Sequence, residues 1–244
     1  MAATSRGAAL VTGGSRRIGR ALTLAAAEAG YDVAIHVRHV DDDAQAAAAD
    51  VRARGRKASI HACDLRDEGA TAPLVGDAES ELGPVTLLVN SASVFEDDSF
   101  ASMNRASWDA HLETNLRAPL VLAQAFARRL PADRMGLIVN ILDQRVFAPA
   151  PDFFSYSLSK SALWTATQML AQDLAPRIRV NGVGPGPTLP SIHQEGGDFD
   201  DEVSTTLLKR AVDPAEIGHA LRYLIDARSV TGQMIAVDAG QHLA

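Results

Sequence analysis

Two side chains four residues apart, Tyr156 and Lys160 in "YSLSK", open an apolar run whose periodicity predicts a helix over 156–174, so both project from one helix face. A phenol beside an ammonium is easier to ionise, and an ionisable phenol can pass a proton to a substrate while a hydride arrives from a nicotinamide. The stretch "IVNILDQ" reads as a buried strand that delivers a carboxylate, Asp143, to its C-terminal tip. An ionised carboxylate only accepts hydrogen bonds, so it would repel a carbonyl oxygen and the alkoxide forming from it. It suits a substrate that offers N–H groups, or a ring nitrogen that must collect a proton while an adjacent C=N accepts hydride.

A second constellation is "TGGSRRIG", Thr12 to Gly19, lying between an apolar strand run and a helical one. That context gives a Gly-rich loop its meaning: Gly13 and Gly14 permit a tight turn and close backbone approach to a pyrophosphate, and Gly19 lets the helix pack on the strand. Ser15, Arg16 and Ile18 complete this cofactor loop. An NAD site usually places an acid at the end of the second strand, but here that strand ends "HVRHV", with Arg38 and His39 in its place. Arg17 adds a third positive group, and the set favours the 2′-phosphate of NADP(H). Arg38 as a solvated surface charge is the plainer alternative. After the third strand come Asp64 and Leu65, the former either contacting adenine or capping the next helix. Asn90, Ser91 and Ala92 after the fourth strand, and Pro185 and Gly186 after the sixth, supply the remaining cofactor walls.

The elements that must position these groups are short apolar runs at even spacing, 8–12, 31–37, 57–62, 85–90, 137–141, 178–183 and 234–238. Helical periodicity occupies 18–29, 44–54, 108–129 and 156–174 between them. Strands alternating with helices predict an α/β, Rossmann-like, doubly wound fold with a seven-stranded parallel sheet, its ligand site beyond the strand C-termini. No linker divides the 244 residues, so 1–244 reads as one domain. The acidic Asp41 to Asp43 suit a helix start. The polar, Gly-containing segment at about 184–201 reads as a substrate flap or a plain loop.

Composition narrows the function further. Hydrophobic residues at 47% and charged residues at 22% suit a globular enzyme, and one cysteine, Cys63, cannot form an internal disulfide. With no signal-like N-terminus, a cytoplasmic location is expected. A net charge of −7 argues against nucleic acid or anionic membrane as a partner, and no apolar run is long enough to span a bilayer.

Together, "TGGSRRIG", "NSAS", "TNLRAP", "YSLSK" and "RVNGVGPG" resemble the short-chain dehydrogenase/reductase family over essentially the whole chain. The resemblance implies Tyr156 as proton donor, Lys160 binding the nicotinamide ribose and lowering the Tyr pKa, and Asn115 holding a relay water. Most of that family carries a Ser at the position of Asp143. The exchange is similar to that in the pteridine reductases and related bacterial dihydromonapterin and dihydrofolate reductases. That likeness implies Ser93 and Phe95 in a pterin site, with Phe95 stacked on the heterocycle, and Arg17 reaching phosphate and pterin. Ala239 in "DAG" stands where the family commonly has Gly, Ser91 replaces a usual Asn, and Val40 sits where the protozoan enzymes carry a phosphate-binding Ser. The expected activity is NADPH-dependent reduction of a dihydropterin-like ring. The alternatives are a carbonyl reductase with a protonated Asp143, and a silent NADP-binding protein, against which intact Tyr156, Lys160 and Asn115 argue. Phe153 and Phe154 either line the pocket or cover the helix start. Trp164 and its apolar neighbours suit a subunit interface, and the family resemblance implies a homotetramer with contributions from 108–129 and 156–174.

Overall fold

The computed structural model describes residues 6–190 and 198–244. Among these, seven strands form one all-parallel sheet: β1 (Ala8–Thr12), β2 (Asp32–Val37), β3 (Ala58–Ala62), β4 (Val85–Asn90), β5 (Gly136–Ile141), β6 (Ile178–Pro185) and β7 (Met234–Val237). The strand order is β3-β2-β1-β4-β5-β6-β7, so the winding reverses between β1 and β4. Strands β1, β2, β4 and β5 are buried along their whole length. That is why they read as continuous Val/Ile/Leu runs with no polar alternation.

Helices cover both faces. One face carries α1 (Arg17–Glu28), α2 (Asp42–Ala53) and α9 (Pro214–Asp226), which close over Leu22, Val51 and Leu221. The other carries α4 (Leu74–Leu82), α6 (Ala118–Arg129) and α7 (Phe154–Asp173), packed around Leu88, Phe126 and Ile138. Shorter helices are α3 (Glu68–Thr71), α5 (Arg105–Leu112) and α8 (Asp198–Thr205). No helix of the described residues is long and apolar enough to cross a membrane.

The doubly wound architecture is as the strand spacing predicts. The helix expected over 108–129 is three pieces, because a π-helical turn at Glu113–Arg117 joins α5 to α6. Helix α2 begins where the acidic run predicts, with the Asp41 side chain accepting from the Ala44 amide at 2.9 Å. Helices α4, α8 and α9 were not read from the sequence. The last had a usable signal, since Asp213 and Glu216 form a reciprocal capping box with Pro214 at the first helical position. The expected flap is divided: 184–185 extend β6, 198–201 open α8, and 191–197 lie outside the described residues.

Register carries the site. Thr12 pairs with His36, and Asn90 with Asn140, at the C-terminal ends of their strands. Asn90 donates to Asn140 Oδ1 at 2.8 Å, and Asn140 donates in turn to Thr167 Oγ1 at 2.8 Å, which ties the sheet centre to α7. Gly136 opens β5 because a Cβ there would stand 2.8 Å from the Phe126 ring. Phe126 is fully buried, so Phe126→Ala should cost roughly 3–5 kcal/mol of unfolding free energy by chemical denaturation.

Candidate active site

A crevice of about 940 Å³ lies across the C-terminal ends of the central strands. Gly13 turns the chain after β1 at φ +63, and a Cβ on it would come 3.0 Å from Ala92 Cα. A Cβ on Gly19 would meet the Gly13 carbonyl oxygen at 2.0 Å, so both positions demand glycine. The neighbouring loop is tied down by Thr12, whose Oγ1 accepts from the amides of Ser91 (2.9 Å) and Ala92 (3.0 Å). His36, not singled out from the sequence, braces the turn from below. Its Nδ1 accepts from the Gly13 amide at 3.4 Å and its Nε2 donates to the Cys63 carbonyl at 3.2 Å. Burial lowers its pKa to about 4, so the ring stays neutral in that one tautomer. The α1 N-terminus has no side-chain cap, which leaves its first amides suited to a phosphate.

The charges around this end are engaged with one another. Arg16 pairs with Asp41 and Asp43, each at 2.5 Å. Arg17, at φ +50, donates to the carbonyls of Leu189 and Pro190 at 2.9 Å each, bridging the cofactor loop to the segment after β6. Arg38 lies 3.3 Å from Asp64, which Arg66 holds at 2.6 Å. The Arg66 hydrogen bonds chiefly, with Arg38 contributing, bring the Asp64 pKa to about 2. The reading of Asp64 as a helix cap is corrected, because Asp67 caps α3 through the Ala70 amide. Leu65, Ile18, Pro185 and Gly186 line the crevice. Ser15 and Asn90 are buried off its wall, and His39 is exposed and takes no part in it.

At the substrate end, Asp143 leaves β5 with extended backbone, its Oδ1 accepting from the Arg145 amide at 2.8 Å. Its Oδ2 accepts from the Tyr156 hydroxyl at 2.7 Å. Lys160 Nζ donates to the Ile141 carbonyl at 2.8 Å, which leaves two N–H groups for ligand hydroxyls. The expected lowering of the Tyr156 pKa is reversed. Burial first, and then the Asp143 charge and hydrogen bond, raise it well above the usual phenol value. Burial also pushes Asp143 up, against the Arg145 amide, the Tyr156 hydroxyl and two nearby cations. For Lys160, burial outweighs the attraction of Asp143 and lowers the pKa to about 8. The phenol here is a retained proton, and the ammonium is the group nearest to titrating.

Asn115 sits on the π-helical turn with its side chain saturated. Oδ1 accepts from the Val94 amide (2.8 Å) and Ser93 Oγ (3.2 Å), while Nδ2 donates to the Val94 carbonyl (2.9 Å) and Ser159 Oγ (3.1 Å). It therefore clamps the segment that carries Ser93 and Phe95. Phe95 stacks on Phe153 with ring centroids 4.3 Å apart and meets the Tyr156 ring edge-on at 4.7 Å. The two phenylalanines before Tyr156 separate in role: Phe153 lines the crevice, and Phe154 packs edge-on against Phe100. Arg145, also missed in the sequence, lies 5.2 Å from the Phe153 ring centre and pairs with Asp152 at 2.8 and 3.0 Å. Ala239 takes φ +53, the conformation that the group's usual Gly adopts without cost, at a price of roughly 1–2 kcal/mol.

The chain matches the family model for short chain dehydrogenase over residues 7–200 and belongs to that family. Its backbone superposes on FolM alternative dihydrofolate reductase 1 from Brucella canis, crystallised with NADP, with a TM-score of 0.94 at 48% identity, over 98% of this chain and 95% of that one. A blue fluorescent protein from a metagenomic library, in complex with NADPH, gives a TM-score of 0.90 at 32% identity over 97% and 98% of the two chains. A curated relative, the 3-oxoacyl-[acyl-carrier-protein] reductase FabG of Staphylococcus epidermidis, is 29% identical over 96% of this chain and 98% of its own length.

Because Lys160 loses its proton at about pH 8, kcat/KM for reduction should fall as pH rises through that value. Asp143 acts to raise the Lys160 pKa, so Asp143→Asn should move this limb to lower pH. A pH–rate profile of both proteins checks the sign, and a limb that does not move separates the two groups.

Proposed function

We propose that this chain is an NADPH-dependent reductase that adds hydride to a C=N bond of a dihydropterin-type ring. The observation that carries the reading is the partly buried Tyr156–Asp143 hydrogen bond, in which the position most of the family gives to Ser is held by a carboxylate. The superposition on a protein described as an alternative dihydrofolate reductase supports the same substrate class.

The crevice fits a dinucleotide, since its glycines admit close backbone approach and the α1 N-terminus and Arg17 face a phosphate position. NADPH, when bound, supplies the hydride. The residues of this chain do the rest. Lys160 offers two donors to the nicotinamide ribose. Tyr156, protonated at neutral pH, is the proton donor, and Asp143 accepts from a ring N–H while orienting that phenol. A relay water at Asn115 must be held by its main chain, because the side chain has no capacity left. Ser93 and Phe95 line the ring site, with Phe95 moving from Phe153 onto the heterocycle. Exposed Leu158 and Met169 on α7 support a subunit interface, the family resemblance makes the assembly a homotetramer, and a cytoplasmic location goes with the proposal.

A carbonyl reductase is the second reading. It is favoured by the burial that raises the Asp143 pKa, since a protonated carboxyl could donate as Ser does, and by the FabG relatives.

Two measurements test these readings. Arg38 would exchange Asp64 for a 2′-phosphate, so NADPH should bind at least about tenfold more tightly than NADH, a difference of roughly 1.4 kcal/mol. Arg38→Asp should shift preference towards NADH, and equal dissociation constants in the wild type would sink the assignment. Asp143→Ser removes a charge-assisted acceptor, so kcat/KM for a dihydropterin should drop by the equivalent of roughly 1.5–3 kcal/mol while an activated ketone is reduced as well or better. Loss of ketone reduction with pterin reduction intact, or a wild type inert towards pterins, would favour the carbonyl reading.

A further inference from the structure

Helix α7 carries Tyr156 and Lys160 but has no cap of its own. Its N-cap residue, Phe153, adopts φ +49 and makes no side-chain cap hydrogen bond. The first amides are met instead from a remote loop. Phe154 donates to the Asp98 carbonyl oxygen at 2.9 Å, and the Ser155 amide donates to Asp98 Oδ1 at 2.9 Å. The Ser155 hydroxyl donates to Asp98 Oδ2. Because that hydroxyl proton is committed, His111 Nδ1, 2.7 Å from Ser155 Oγ, must carry hydrogen and donate, and His111 Nε2 accepts from the Glu96 amide at 3.2 Å. Asp98 is 5% exposed, and His111 and Ser155 are wholly buried.

Glu96 and Asp98 belong to the same segment as Ser93 and Phe95. The chain of bonds therefore closes a ring: β4 loop, Asp98, first turn of α7, His111 on α5, and back to the β4 loop. Tyr156 sits inside it, edge-on to Phe95 and with its ring 6.1 Å from that of His111. We infer that Asp98 is a positioning residue, a helix cap supplied from the substrate loop that locks the Tyr156 hydroxyl and the Phe95 ring into one geometry through Ser155 and His111. Burial alone would push its carboxyl up, but hydrogen bonds from the Ser155 hydroxyl and amide lead the groups that outweigh it and hold the carboxyl below its usual range, as a cap at a helix N-terminus requires. The cap Asp213 is local and Asp41 reaches only Arg16 of the cofactor loop, whereas this one couples two walls of one pocket.

The inference rests on Tyr156 acting as proton donor, whichever substrate it serves. The test uses the full chain as Asp98→Ala, Asp98→Asn and Ser155→Ala, with a dihydropterin and an activated ketone as substrates. In Asp98→Ala, kcat should fall and substrate KM rise, together lowering kcat/KM at least about tenfold, while the NADPH dissociation constant stays within about twofold. Asp98→Asn should recover most of the loss, because its Oδ1 still accepts the Ser155 amide. Hydrogen exchange at the amides of 154–157 should quicken in Asp98→Ala and much less in Asp98→Asn. Should Asp98→Ala not fold, Ser155→Ala, which keeps the amide cap and removes the hydroxyl's bonds to Asp98 Oδ2 and His111, should still show the KM and kcat change at a few-fold level. Wild-type kcat and KM in a folded Asp98→Ala, unchanged exchange, or a loss shared equally with NADPH binding would overturn the inference. A wild type that reduces only the ketone would count against the pterin reading and leave the Asp98 comparison readable on the ketone. If it reduces neither, the exchange measurement decides alone.

Discussion

A carboxylate and a phenol share one partly buried hydrogen bond at the wall of the crevice, and much of the site is arranged around that fact. Neither group is at ease there, since burial opposes ionisation of both; the carboxylate makes the phenol harder to ionise, whereas the phenol's hydrogen bond eases ionisation of the carboxylate. The cations that balance Asp143 come from different elements: Lys160 from α7 and Arg145 from the turn after β5. Their relative placement depends on α7 crossing the end of β5 in the right register. The Lys160–Ile141 hydrogen bond and the Asn140–Thr167 hydrogen bond enforce that crossing.

The cofactor end follows a different logic. Its arginines are neutralised within the chain, Arg16 by α2 acids and Arg38 by Asp64, and these pairs are partly exposed. Exposed ion pairs contribute little stability, so a ligand phosphate can replace a carboxylate partner at small cost. Arg17 differs in being bonded to two backbone carbonyls beyond β6.

Between the two ends stands a frame of neutral polar groups. His36, Thr12, Asn90, Asn115 and Asn140 are all nearly or wholly buried, and each is placed by strand register or by the π-helical turn. Their hydrogen bonds set loop geometry without adding charge. Asn115 shows the principle most fully: with four side-chain bonds made, it fixes the Ser93–Phe95 segment and leaves only main-chain atoms for any relay.

The sequence by itself determined the doubly wound sheet, because buried parallel strands must be continuously apolar and helices between them must be amphipathic. It also determined the Gly-rich turn, since Gly13 and Gly19 occupy space no Cβ can enter, and the Tyr156, Lys160 and Asp143 set through spacing and resemblance. What it could not show depends on groups distant in the chain. The direction of the Tyr156 shift was misread from its Lys160 neighbour, because four residues of helix say nothing of burial or of a carboxylate arriving from β5. Arg145 and His36 join the site only when separate strand ends and turns converge, the choice between Phe153 and Phe154 as a crevice wall depends on the same packing, and His39, next to Arg38 in the chain, is exposed outside the crevice. The cap on α7 was invisible for the same reason: Asp98 lies 57 residues from Ser155, and only the packed fold brings a loop carboxylate to a helix that has no cap of its own.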